Sequence, residues 1–154
     1  MNVAVLTVSD RASRGEYIDE AGPLVERMLT DAGAVVVARA CVPDERADIE
    51  SSLCDWSDGG GIDCILTTGG TGLGPRDVTP EATRAVIERE APGIAEATRA
   101  AGLRATPFAA LSRQVAGTRG TTLIVNLPGS PKAAAECLAG ILEILPHAVE
   151  MMNP

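Results

Sequence analysis

Histidine, lysine and aromatic side chains are nearly missing from this 154-residue chain, which has one His, one Lys, one Tyr, one Trp and one Phe. His147 stands alone beside Pro146, so a histidine triad or a zinc site has no material to build on. Any chemistry must come from carboxylates, hydroxyls, arginines and the backbone. Tyr17, Trp56 and Phe108 are too scattered for a base-stacking platform, and a net charge of −8 opposes a phosphate backbone. No nucleic-acid partner is therefore expected, although a small anion needs only a local group of donors. The four cysteines form no CxxC pair, and three lie in apolar stretches, which predicts thiols acting as small buried hydrophobes. No apolar run approaches the roughly 18 residues of a membrane span. The opening MNVAVLTVS carries no basic segment, so no targeting peptide is expected. These absences predict a soluble, cytoplasmic protein with a single domain over residues 1 to 154 and no membrane partner.

What is present alternates. Residues 3 to 9, 34 to 42, 62 to 69 and 121 to 127 are short, β-branched and nearly continuous in apolar character, as strands buried on both faces should be. Between them Leu24, Val25, Met28 and Leu29 mark one helix, with Gly33 closing it, and Ile49, Leu53 and Trp56 mark another, ending at residues 59 to 61. Thr79 followed by Pro80 reads as an N-cap with proline at the first helical position, and Pro92 opens a further helix. A last helix is predicted from Ser130 through Leu138, Ile141, Leu142 and Leu145. Residues 101 to 120 are the least readable, with LSRQVAGTRG offering a short strand or hairpin. The pattern predicts an α/β fold: an open, mostly parallel sheet with helices on both faces, three layers α/β/α.

In such a sheet, ligands bind in the crevice at the carboxyl ends of the strands. The predicted ends carry Ser9-Asp10-Arg11, Pro43-Asp44-Glu45, Gly69-Gly70-Thr71-Gly72 and Asn126-Leu127-Pro128-Gly129-Ser130. The stretch GGTGLGPRD is neither a P-loop nor a dinucleotide fingerprint, because Pro75-Arg76 stands where Lys and Ser/Thr, or a third glycine, would be needed. It is either a plain turn or a nest of amides cradling a phosphate. The LPGSPK turn opens a helix and is a second candidate anion site. Asp44 and Asp77 are either turn residues or flank the cradle. In the second case Mg²⁺ between carboxylate and phosphate relieves their repulsion. Glu96 and Arg99 line the same cleft or form a solvated face.

Taken together and in this order, TVSD, TTGGTGLGPRDVTPEA, PGIAEATR, LSRQVAGTRG and NLPGSPKA resemble the MogA/MoaB family of molybdenum cofactor biosynthesis, molybdopterin adenylyltransferases related to the gephyrin G domain. The resemblance implies a homotrimer or hexamer that joins molybdopterin to MgATP, giving adenylyl-molybdopterin and pyrophosphate, with a molybdate-inserting enzyme as possible partner. It places Asp44 and Asp77 at the catalytic and Mg²⁺ positions. It assigns Gly69, Gly70, Thr71, Gly72, Pro128, Gly129 and Ser130 to the loops that hold the substrates. Ser9, Asp10, Glu96, Ser112, Arg113 and Asn126 join the substrate site, several of them near the pterin and its terminal phosphate. One departure is visible: the family commonly shows Phe-Gly-Glu where this chain has Ile94-Ala95-Glu96, keeping the carboxylate and altering an apolar contact. The alternative within the resemblance is a non-catalytic molybdopterin-binding carrier or scaffold.

Overall fold

The computed structural model describes residues 1 to 153. Six strands form one sheet: β1 (Asn2–Val8), β2 (Val35–Val42), β3 (Cys64–Thr68), β4 (Arg89–Glu90), β5 (Ala116–Arg119) and β6 (Thr122–Leu127), in the order β2-β1-β3-β6-β5-β4. β2, β1, β3 and β6 run parallel, while β5 is antiparallel to both β6 and β4. The expected hairpin in LSRQVAGTRG is this β5–β6 pair, turned through Gly120 at φ +53°. One face carries α2 (Ala21–Asp31), α5 (Pro92–Ala105), α6 (Pro131–Ala139) and α7 (Leu145–Met152) over a core that includes Val5, Leu66, Val125 and Leu138. The other carries α3 (Arg46–Asp58) and α4 (Thr79–Val86) over Leu6, Ile49, Leu53, Ile65 and Ile124. A one-turn helix, α1 (Asp10–Ser13), and a 3-10 helix, Pro107–Leu111, sit at the sheet's edge.

The parallel four-strand centre and the three layers agree with the sequence reading. Three details differ from it. β2 is not buried on both faces: it is the outer strand, its residues alternate in exposure, and Val35 and Val37 stand open to solvent. Cys41 is accordingly exposed, unlike Cys64 and Cys137 in the core. The predicted last helix is two helices, because α6 stops at Ala139 and Gly140 lies against Ala101, where a Cβ would come within 2.5 Å of the alanine methyl. Leu138, Ile141 and Leu145 are nevertheless fully buried, since the turn between α6 and α7 keeps facing the sheet. Finally, Thr79 does not cap α4. Its hydroxyl is buried and donates to the Gly69 carbonyl at 2.9 Å, while Val78 precedes the helix without a side-chain cap.

The chain runs from β1 outward to β2 and then back across to β3, so the carboxyl ends of β1 and β3 flank a topological switch point. Ser9, Asp44, Gly69 and Gly70 are positioned by that gap.

Candidate active site

A cleft of about 200 Å³ opens at the switch point, bounded by the ends of β1, β2 and β3 and by the turn before α6. Ser9, Asp44, Gly69, Gly70, Asp77 and Gly129 all line it, together with Thr7, Tyr17, Asp19 and Thr68. Asp10 is tied to this lining through Asp44. Its Oδ1 accepts from the Asp44 amide at 2.9 Å, and Asp44 Oδ2 accepts from the Asp10 amide at 2.8 Å, so the two strand ends cap each other. Arg76 then grips Asp10 through Nε and Nη2, both at 3.0 Å, and reaches Glu45 at 2.8 Å. The guanidinium holds the Asp10 carboxyl below the ordinary carboxylate range. Asp44 is shifted the other way: burial pushes its proton affinity up, opposed by the Asp10 amide, and the charges of Asp10 and Asp77 push it further. Among the described residues its Oδ1 accepts no hydrogen bond.

The glycines here answer to space as well as to conformation. Gly69 has φ +106°, and a Cβ on it would collide with the Val8 carbonyl oxygen. Gly70, at φ +67°, lies against the Asp44 carboxylate, which a Cβ would approach to 3.1 Å. Asp77 Oδ2 accepts from the Gly74 amide at 2.9 Å, in a hollow that exists because Gly72 and Gly74 have no side chains. On the second turn, a Cβ at Gly129 would come within 3.2 Å of Gly69 Cα, so the two glycine turns touch backbone to backbone. Ser130 caps α6 as expected, accepting from the Ala133 amide at 3.1 Å, and Ser9 caps α1 in the same way at 3.2 Å. On the other side of the glycine loop a wider groove runs past Thr71, Gly72, Ser112, Pro128 and Ser130. The loop is a partition with open space on both sides.

Three expected site residues are placed elsewhere. Asn126 is fully buried. Its Oδ1 accepts from the Val115 amide at 3.1 Å and its Nδ2 donates to Thr67 and Thr83 at 3.0 and 2.9 Å. It ties β3, α4 and β6 to the residue before β5 and does not reach the cleft. Arg113 spends its guanidinium on the loop itself, donating to the Gly72 carbonyl at 2.8 Å, the Asp77 carbonyl at 2.6 Å and the Glu81 carboxylate. Glu96 is exposed and faces a separate hollow with Arg84, Glu90 and Arg99, away from Asp44 and Asp77. Arg99 itself donates to the carbonyls of Ser112 and Gln114. Sequence reasoning missed Arg76 and Asp19. Asp19 accepts from Thr7 Oγ1 at 2.6 Å and from the Gly22 amide at 2.9 Å, walling the cleft. The DEAGP stretch, residues 19 to 23, which leads into α2, held the only signal for Asp19. Arg76 stood in the quoted glycine motif without an assigned partner.

Comparison with known proteins decides the family. A model described as a probable molybdopterin binding domain matches residues 4 to 147. The chain belongs to that family. It is 41% identical to the molybdopterin adenylyltransferase of Helicobacter pylori (strain J99) over 154 residues, 99% of this chain and 88% of that protein. It is 44% identical over 151 residues to the molybdenum cofactor synthesis protein cinnamon of Drosophila melanogaster, covering 97% of this chain but only a quarter of that longer protein. The crystal structure of the molybdopterin biosynthesis enzyme MoaB from Thermus thermophilus superposes with a TM-score of 0.94 at 53% identity, covering 99% of this chain and 96% of that one. The fold and the molybdopterin-binding family are therefore those that the five sequence motifs implied.

The two carboxylates suit a cation delivered with its ligand. Among the described residues no group of three or more His, Cys, Asp or Glu forms a closed metal cage. Mg²⁺ does not require one, since it is commonly held by one or two carboxylates plus substrate phosphates. Asp44, with a free oxygen on the cleft, and Asp77 across from it match that donor set.

Proposed function

We propose that this chain is a molybdopterin adenylyltransferase of molybdenum cofactor biosynthesis: it transfers the adenylyl group of ATP to the terminal phosphate of molybdopterin. The observation that carries the reading is the convergence of Asp44 and Asp77 with two touching glycine turns at the switch point, in a chain whose relatives of similar length bear that name. An oxygen of the molybdopterin phosphate attacks the α-phosphorus of ATP, the bond from that phosphorus to the bridging oxygen breaks, and pyrophosphate leaves. The attacking oxygen is ionised at neutral pH, so no strong general base is needed, in keeping with a cleft that the chain's one histidine, His147, does not line. The chain's task is to bring two polyanions together and hold them in line.

In this reading the amides of Gly70, Thr71 and Gly72 and the α6 turn at Gly129 and Ser130 supply donors to phosphate oxygens, while Ser9, Asp10, Ser112 and Pro128 shape the edges. Asp44 and Asp77 would hold Mg²⁺ beside the phosphates, and the ion would supply neutralisation of the phosphate charge. Arg113 acts indirectly by fixing the glycine loop. Glu96 is withdrawn from the substrate contacts. The family resemblance further supports a homotrimer or hexamer in the cytoplasm, with a molybdate-inserting enzyme receiving the product. Mg²⁺-dependent pyrophosphate release from ATP, measured with and without molybdopterin, tests the reaction. Release that requires molybdopterin is the expected result, and its absence with intact ligand binding would leave a carrier instead.

A further inference from the structure

α4 opens on Thr79-Pro80-Glu81, and both polar side chains are drawn into holding the glycine loop, Thr79 directly and Glu81 through Arg113. The buried Thr79 hydroxyl donates to the Gly69 carbonyl at 2.9 Å, and the Thr79 amide donates to the Gly70 carbonyl at 3.1 Å. The next two carbonyls go to Arg113. Its amide donates to Thr71 and its Nε to Gly72, both at 2.8 Å, while Nη2 reaches the Asp77 carbonyl at 2.6 Å. Glu81 accepts from Nη1 and, at 3.4 Å, from Nη2, and the guanidinium holds its carboxyl below the ordinary range. With side chains 33% and 39% exposed, this ion pair adds little stability of its own. What Glu81 contributes is the orientation of Arg113.

Four consecutive carbonyls, Gly69 to Gly72, are therefore taken up by Thr79 and Arg113. The peptide bonds here are trans, so each N–H lies opposite to the carbonyl of its own peptide unit. Drawing those carbonyls back presents the amides of Gly70, Thr71, Gly72 and Leu73 on the other side. Among the described residues none of these four amides donates to the protein, and the next one, of Gly74, goes to Asp77. Free amides in a row cost free energy unless water or a ligand satisfies them, and Thr71 is only 5% exposed. We propose that Thr79 and Glu81 are positioning residues for the transfer: Thr79 sets the first half of the amide row, Glu81 sets the second half by orienting Arg113, and the amides so presented bind substrate phosphate. This explains why α4 starts without a side-chain cap although a threonine stands at its first position. The hydroxyl is committed to the loop. The assignment rests on the transferase reading only for the identity of the phosphate ligand.

The test compares Thr79→Val, which exchanges the hydroxyl for a methyl of similar size, with Thr79→Ser, which keeps it, and with Glu81→Gln. Each protein is titrated calorimetrically with MgATP and with the phosphate monoester of 6-hydroxymethylpterin, well below its melting midpoint. Thr79→Val should weaken at least one of the two ligands by roughly 5-fold to 10-fold, the scale of one hydrogen bond, and Thr79→Ser should restore it. Glu81→Gln should weaken the same ligand several-fold, and should add nothing in an Arg113→Ala background, because it acts through that side chain. In NMR spectra the ligand should move the amide resonances of Gly70, Thr71 and Gly72 in the wild type, and move them less in Thr79→Val and Glu81→Gln. Loss of MgATP affinity alone gives the amides to the nucleotide, and loss of pterin phosphate affinity alone gives them to the acceptor; either supports the positioning role. Variants that melt earlier but bind both ligands as the wild type does overturn it, as does a Glu81→Gln effect that persists without Arg113. A wild type that binds neither ligand overturns it too. If the variants weaken MgATP binding and the wild type forms no pyrophosphate, the positioning stands and the transferase reading fails. If the wild type forms pyrophosphate and the variants keep its affinities, the reading stands and the positioning fails.

Discussion

The sheet's carboxyl edge carries polar side chains in two settings that the sequence makes look alike. On the β1–β2–β3 side, Asp44 and Asp77 line an open cleft, Asp10 is hydrogen-bonded to Asp44, and among the described residues Asp44 keeps an oxygen without a partner. On the β6 side, Asn126 occupies a comparable place near its strand's end, yet it is fully buried and its amide is consumed by Val115, Thr67 and Thr83. Both are short polar residues at strand ends among glycines and hydroxyls. What separates them is spare hydrogen-bonding capacity: a group with none left is holding the scaffold, whereas a half-buried charge without its full set of partners is held ready for something else.

The comparison breaks first at Asp77. Replacement by Asn keeps the shape and an acceptor for the Gly74 amide, so the fold should survive. Pyrophosphate release should fall by about 10²-fold to 10³-fold, the scale of losing one preorganised electrostatic stabiliser. Near-normal turnover would reduce the carboxylate to a loop staple. Asn126→Ala should do the reverse. It leaves the buried Val115 N–H and the hydroxyls of Thr67 and Thr83 without their partner, at about 2 to 4 kcal/mol. At roughly 2 to 4 °C per kcal/mol, a calorimetric midpoint lower by something like 5 to 15 °C is expected, with turnover per folded molecule little changed. A normal midpoint with lost pterin affinity would return Asn126 to the ligand.

Arg76→Ala probes the boundary between the two settings. The side chain is 55% exposed, so its ion pairs to Asp10 and Glu45 are screened by solvent and add little stability. Its Asp10 contact nonetheless steadies the carboxylate that caps the Asp44 amide. The expected result is an unfolding midpoint within about 2 °C of wild type, with a several-fold higher Mg²⁺ requirement. An unchanged Mg²⁺ requirement would show that the reciprocal bonds of Asp10 and Asp44 suffice.

Much of this was legible in the chain. Continuous β-branched runs located the four parallel strands, and proline-led turns located the starts of α5 and α6, because both signals are local. The glycine loop and Asp44 and Asp77 at one edge followed from strand direction alone. What escaped depended on the third dimension. β2 has the composition of an inner strand and lies outermost, because strand order is set by crossovers that composition does not record. Arg113 looked like a ligand for phosphate and instead clamps the loop, since its partners are carbonyls about forty residues away. Glu96 sits in a matched motif on a helix whose turn carries it to another face.

The smallest expected effect concerns what Asp44 costs the fold. Burial and the neighbouring charges of Asp10 and Asp77 raise its pKa, so the native state holds the proton to a higher pH than the unfolded chain does. Between the ordinary carboxylate pKa, about 3.9, and the raised folded value, stability falls as pH rises, and above that window the charged side chain is a standing penalty. Asn at this position removes the charge and retains an oxygen for the Asp10 amide. Asp44→Asn should therefore lose transfer activity and yet unfold slightly later than wild type at pH 7.5, by roughly 1 to 3 °C once solvent screening of a half-exposed group is allowed for. The gain should shrink as the pH falls through that window and vanish by about pH 3, below the ordinary carboxylate pKa, where Asp44 holds its proton in both states. Thermal scans at the two pH values decide it. A variant less stable at pH 7.5 would mean that the charged oxygen's bond to the Asp10 amide outweighs the repulsion, making Asp44 part of the scaffold as Asn126 is.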